Sequence, residues 1–262
     1  MTETLLDGQG ALPANPPDTA EVTIINDAGT VLASGASAVT TPNPSEFTID
    51  IDTSMTTQLD RLTLVWSHAG ISPTTTTVEV VGGLLFSVEQ LRAMDPQLQD
   101  ATAFPTTAIL NVRTEVEQAL ERHLGYALVP RFTHRAVSPG DHVQLHPFLR
   151  SIRSASSAGS SVDVSGLTFR PGGVVTGYTF SSPASIAYEH GLDGGDMDAT
   201  RAALMLAKAW LLSGPIDDRT TVLASPDAGI TQTLAVPGRG GSIFGIPSVD
   251  EWVQSNSIVA AA

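Results

Sequence analysis

The chain has 262 residues, enough for one large or two small domains, and 42% of them are hydrophobic, enough for real cores. Its formal net charge of −14, with no cluster of Lys and Arg, argues against binding a phosphate backbone, and with no cysteine it can form neither a disulfide framework nor a cysteine zinc site. Charged residues make up only 15%, below the roughly 25% of an average soluble chain, so Ser, Thr, Ala and Gly must fill the surface of a β-rich chain that makes many contacts.

Residues 1–19 read as a flexible arm, because Pro13, Pro16 and Pro17 with Gly8 and Gly10 leave no periodicity. The opening lacks the basic and apolar regions of a secretory signal. No apolar run approaches the ~20 residues of a membrane span.

Residues 20–82 read as a small all-β unit. Val22 and Ile24 alternate, Asn26-Asp27-Ala28-Gly29 signals a turn, and Thr30 to Ala33 follows as the return strand. Phe47, Ile49 and Ile51 alternate with polar residues, as do Leu62, Leu64 and Trp66, and then Thr76, Val78 and Val80. Five closely spaced strand signals without a helix predict an immunoglobulin-like β-sandwich near the lower size limit for independent stability. Gly82-Gly83 reads as a hinge.

Beyond it the period changes, and residues 84–215 read as a helical core. Phe86 to Met94 is a short helix capped by Ser87 and stopped by Pro96. Thr106 or Thr107 caps a longer helix that ends at Leu124-Gly125. Its apolar stripe is Ile109, Val112, Val116, Leu120 and Leu124, with Arg113, Glu117 and Glu121 on a solvated face. Residues 129–188 form a β insertion, with strands expected at 131–137, 142–145, 149–155, 162–164, 167–169, 174–180 and 184–188. A helix over 198–213 follows, capped by Asp196 or Asp198. Its one polar stripe is Asp198, Arg201 and Lys208, so it must be covered on nearly every side, by its own core or by a neighbouring subunit. Residues 216–262 read as an extended arm with a loose hairpin (220–223 with 230–236), a flexible Pro237 to Gly241 loop, and a short terminal helix carrying Trp252.

Little of this assembles into chemistry. His142 and His146 lie in a strand context, where four residues span ~13 Å, too far for one zinc that holds each His at ~2.0 Å. Tyr188-Glu189-His190-Gly191 offers a base and an orienter, yet neighbours on a strand point to opposite faces, and His190 reads as a packed strand-end residue. Gly238-Arg239-Gly240-Gly241-Ser242 lacks the Gly-Lys-Ser/Thr ending of a phosphate loop. Asp217-Asp218 alone makes no cation site. The expectation is no catalytic residue, no metal and no cofactor.

Three stretches taken together resemble a known family. They are Val116 to Arg131 (VEQALERHLGYALVPR), Tyr188-Glu189-His190-Gly191 with the Ala/Leu-rich helix after it, and Arg219 with Ser225, Pro237 to Gly241, Phe244-Gly245 and Pro247 to Asp250. Over residues 84–256 the chain resembles the head-to-tail connector, or adaptor, proteins of long-tailed bacteriophages, particularly those of actinobacterial hosts. The resemblance implies an α+β fold: a helical connector core with a β insertion and an extended C-terminal arm, here preceded by the immunoglobulin-like domain. It implies a twelve-fold ring of this chain beneath the portal protein, joined to the next neck, stopper or tail protein, with genomic DNA passing through unread. It also implies no catalysis, no membrane, and a place in the virion neck after synthesis in the host cytoplasm. Arg219, Arg239, Phe244 and Trp252 are then the candidate subunit or portal contacts. The competing expectation is a surface-binding module whose N-terminal β domain recognises a carbohydrate or host surface, with Trp66 its candidate for stacking on a sugar, although its alternation with Leu62 and Leu64 reads more readily as a core position.

Overall fold

A computed structural model describes residues 2–4, 19–40, 46–68, 71–170, 172–193, 196–212, 222–225, 230–233 and 243–258. The chain divides into two compact units. The first joins Met1–Gly82 to Pro130–Gly191, and the second joins Gly83–Val129 to Leu192–Ala262. Helices and antiparallel sheets together make the class α+β.

In the first unit, β1 (Thr2–Thr4), β2 (Thr19–Ile25), β3 (Val31–Thr40), β4 (Glu46–Thr48), β5 (Asp60–His68) and β6 (Ile71–Val80) form one antiparallel sheet, ordered β1-β4-β3-β2-β5-β6. The β2–β3 turn forms where Asn26 and Gly29 predict it. Gly29 takes φ +81, and the Thr30 N–H donates to the Asn26 side-chain oxygen at 2.8 Å. Alternation sets the buried face: Val22, Ile24, Leu62, Leu64 and Trp66 all point into one core with Phe47 and Ile49, and Ile51 and Met55 pack against it. All described strands of this region belong to a single sheet, so its core is closed by the Phe47–Met55 segment. Trp66 is fully buried there, which removes it as a surface platform for a sugar.

The rest of this unit holds two smaller sheets. β10 (Ser160–Val162), β9 (Leu149–Ser157), β13 (Ala184–His190) and β7 (Arg131–Ala136) lie in that order, and β11 (Thr168–Phe169), β12 (Val174–Thr176) and β8 (Val143–Gln144) make the other. β13 is central between β7 and β9. Ala184, Ile186, Tyr188 and His190 face a core with Val143, Leu145, Val175 and Phe180, while Ser185 and Glu189 turn to the opposite face. Two glycines are required by close approach. A Cβ on Gly82 would lie 2.7 Å from the Pro130 side chain, and one on Gly173 (φ +83) would lie 2.4 Å from the His146 carbonyl oxygen. Gly82 also donates its N–H to the Pro130 carbonyl at 2.8 Å.

The second unit is built on α1 (Val88–Ala93), α2 (Thr106–Leu124), α3 (Met197–Leu212) and α4 (Pro247–Asn256), with the hairpin β14 (Val222–Ser225) and β15 (Ile230–Thr233). Ser87 and Gln90 form a reciprocal capping box at the start of α1. α2 begins at Thr106 behind Pro105 with no side-chain cap, unlike the predicted Thr cap, because Pro105 already fixes an extended approach. It ends as expected on Gly125 at φ +82. Its stripe of Ile109, Val116, Leu120 and Leu124 is buried, but the face expected to be solvated is only partly so. Glu117 is only 7% exposed, Arg113 donates to the Phe86 carbonyl, and Glu121 accepts from the Leu128 N–H at 3.0 Å. The chain entering and leaving α2 covers a second side of the helix. Asp196 caps α3 by accepting from the Asp198 N–H at 3.0 Å. α3 buries Ala199, Ala202, Ala203, Leu206 and Ala207 but leaves Met197 83% exposed, and Lys208 reaches Asp95 at 2.8 Å. Among the described residues of one chain, the helix expected to be covered all round is covered on one side.

Candidate functional site

Two clusters of titratable side chains in the first unit lie on β13, one on each face. On the core face, β13 presents Tyr188 and His190 two residues apart, and His146 comes in from the turn after β8. The His146 and His190 rings stack with centroids 4.3 Å apart at 16°. Tyr188 Oη lies 2.6 Å from His146 Nδ1, and Thr133 Oγ1 on β7 lies 3.0 Å from His190 Nε2. His190 is 4% exposed, and its Nδ1 has no hydrogen-bond partner among the described residues. Burial, then His146, then Arg131 push His190 down from its ordinary 6.5 to about 4. Burial and then Arg135 also push His146 down, so both rings are neutral near pH 7. His142, the other half of the sequence pair, turns outward to Asp141 at 2.8 Å. Among the described residues no group of three or more His, Asp or Glu side chains is placed to hold a metal. The expected packed strand-end histidine is thus a member of a stacked pair.

On the opposite face, Asp27 Oδ2 lies 2.7 Å from His134 Nδ1, His134 Nε2 lies 3.2 Å from Ser185 Oγ, and Ser185 Oγ lies 2.9 Å from Ser156 Oγ. The order of atoms is that of an acyl-transfer triad, and sequence reading missed it because it spans three strands and a turn. The surroundings favour a cross-brace. Ser185 sits within the central strand, in register with Ala136 on one side and Ser156 on the other. Its backbone therefore belongs to the sheet ladder, not to an oxyanion site. Asp27 is also held by Arg61 at 2.6 Å. Arg153 extends the polar face, donating to Glu189 at 2.7 Å with its guanidinium 4.8 Å above the Phe132 ring.

In the second unit, the end of α2, the middle of α3 and α4 converge. The Phe244 ring meets His123 edge-on at 5.2 Å, and its N–H donates to the buried Asp250 carboxylate at 2.7 Å. Ile258 N–H donates to the Leu124 carbonyl at 2.9 Å, and Leu192 N–H to the Ala127 carbonyl at 3.1 Å. Ser248 of α4 approaches Met205 of α3 at 3.7 Å. A cavity of about 220 Å³ opens between Leu84, Leu85, Leu128, Leu192, Asp193, Asp196, Ala199 and Thr200. Of the candidate contact residues, Phe244 and Trp252 are half-buried on and before α4. Arg219 and Arg239 lie outside the described residues.

No protein-family model matches the chain, and no curated protein matches it in sequence. Among solved structures, one chain from the "neck of empty GTA particle computed with C6 symmetry" is similar at 13% identity and a TM-score of 0.43, over 68% of this chain and 93% of that one. A chain from the "neck of native GTA particle computed with C12 symmetry" is similar at 14% identity and a TM-score of 0.39, over 62% of this chain and 94% of that one.

Proposed function

We propose that the chain is a structural virion protein, a head-to-tail adaptor that closes into a ring beneath the portal, extends the DNA channel and joins the capsid to the next neck or tail protein. The observation that carries this reading is the ordered set of three sequence stretches, parts of which meet in the second unit. His123 comes from the first stretch, the Ala/Leu-rich α3 from the second, and Phe244, Ser248 and Asp250 from the third; they touch one another although the chain between them is long. The half-exposed side of α3, with Met197 and Leu204 beside Arg201, offers a surface that a neighbouring subunit would cover.

On this reading the ring repeats one heterologous contact until it closes, twelve-fold to match the portal. The balance of −14 keeps the channel from gripping the DNA that slides through it. Arg219, Arg239, Phe244 and Trp252 are the candidate contacts to subunit or portal. Residues 20–82 serve as an immunoglobulin-like outward domain, 84–215 as the connector core, and 216–262 as the docking arm. No catalysis is assigned. The test is the native mass of the purified chain, alone and mixed with its cognate portal protein. A closed ring in either condition, templated by the portal or formed alone, is expected. A chain that stays monomeric in both overturns the proposal.

A further inference from the structure

We propose that the His146–His190 stack is an acid-operated latch: with both rings neutral it holds the end of β13 against β7 and the turn after β8, and a proton on either ring opens that end. The geometry carries this. The rings are parallel and in contact, with centroids 4.3 Å apart. A neutral imidazole has one N–H to place, and Thr133 or Tyr188 can meet each ring's bonded nitrogen. A second proton on His190 would be different. Its Nδ1 is buried with no partner among the described residues, so whichever nitrogen is protonated first, the doubly protonated ring places an N–H against nothing that accepts it.

The charged groups that act on the pair are cationic. β7 contributes Arg131 and Arg135, and each ring lies against the other. β9 brings Leu149 opposite His190, and β13 itself brings Tyr188. The carboxylates of neighbouring positions are engaged elsewhere: Glu189 turns to the other face and takes Arg153, and Glu79 takes Arg131. A charged stack therefore meets repulsion without a counter-ion.

Its position gives the opening a consequence. His190 is the register partner of Arg131, and the chain passes between its two units immediately beside them, at Val129–Pro130 and Gly191–Leu192. The latch secures both strand ends through which the chain enters and leaves the first unit.

The test is hydrogen exchange of the full chain, read by mass spectrometry from pH 7.5 to 4 and corrected for intrinsic rates. Peptides covering β7 and β13 are compared with those covering β5 and β6. A downshift from 6.5 to about 4 corresponds to a loss of protection of up to about 300-fold at the β7 and β13 ends, absent from β5 and β6. His190→Phe should abolish the pH step. Should that buried variant not fold, His146→Phe, which keeps a stacking ring and removes one charge, should shrink it. Equal loss in β5 and β6, full protection of β7 and β13 down to pH 4, or an unchanged step in His146→Phe would each overturn the latch.

Discussion

His190 ties the stability of the β13 end to pH in a direction that follows from its surroundings. Its folded pKa is depressed, so the unfolded chain binds the proton first as the solution is acidified. The stability it contributes is complete above pH 6.5, falls as the pH drops towards about 4, and falls no further below that. The free energy of opening at the β7 and β13 ends should decline by about 3 kcal/mol across that window; a flat profile there would contradict the burial of a neutral ring. The Asp27–His134–Ser185 chain leads to the opposite kind of expectation. As a brace it should leave Ser185 unlabelled by a fluorophosphonate probe, and Asp27→Ala should cost about 1 kcal/mol, because Arg61 and the 39%-exposed His134 can turn to solvent. Labelling that disappears in His134→Ala would instead establish a nucleophile. The sequence shows why one histidine can be read and its partner cannot. His190 ends an alternating apolar strand, which makes its burial legible from neighbours alone. Its partnership with His146 depends on how the sheet holding β8 comes to lie against the one holding β13, and residues 44 positions apart carry no local sign of that.

At the level of elements, the apolar period was enough to place the buried faces. The Leu62, Leu64 and Trp66 alternation marks the buried face of β5, and the stripe from Ile109 to Leu124 marks the buried face of α2. Sequence reading failed where a second element comes to lie on a face that its own residues make polar. Glu117 is buried, and Arg113 and Glu121, expected in solvent, bond to the segments flanking α2. Single substitutions should separate these contributions. Leu120→Ala, at a fully buried position, should cost 2–5 kcal/mol by about the usual cavity rule. Ser87→Ala, which removes one arm of the capping box, should cost about 1 kcal/mol. Gly125→Ala, forced into φ +82, should cost roughly 1–2 kcal/mol. Thermal unfolding of the three variants would rank them; a Ser87 variant less stable than the Leu120 variant would mean that α2 packs less tightly than its burial indicates.

For the whole molecule, the first unit is assembled from two separated pieces of chain. Residues 1–82 made alone would lack Pro130 opposite Gly82, Arg131 opposite Glu79 and His134 opposite Asp27. That fragment should melt well below the full chain, and equal melting temperatures would show that the sheet draws nothing from residues 130–191. The same division has a consequence during synthesis. The β2–β6 strands leave the ribosome while their partners around Pro130 to Gly191 are still unmade, and at ~5–20 residues per second that interval lasts roughly 5–20 s. Throughout it the nascent sheet must hold together on its own apolar core, before any ion pair to the later strands can help it.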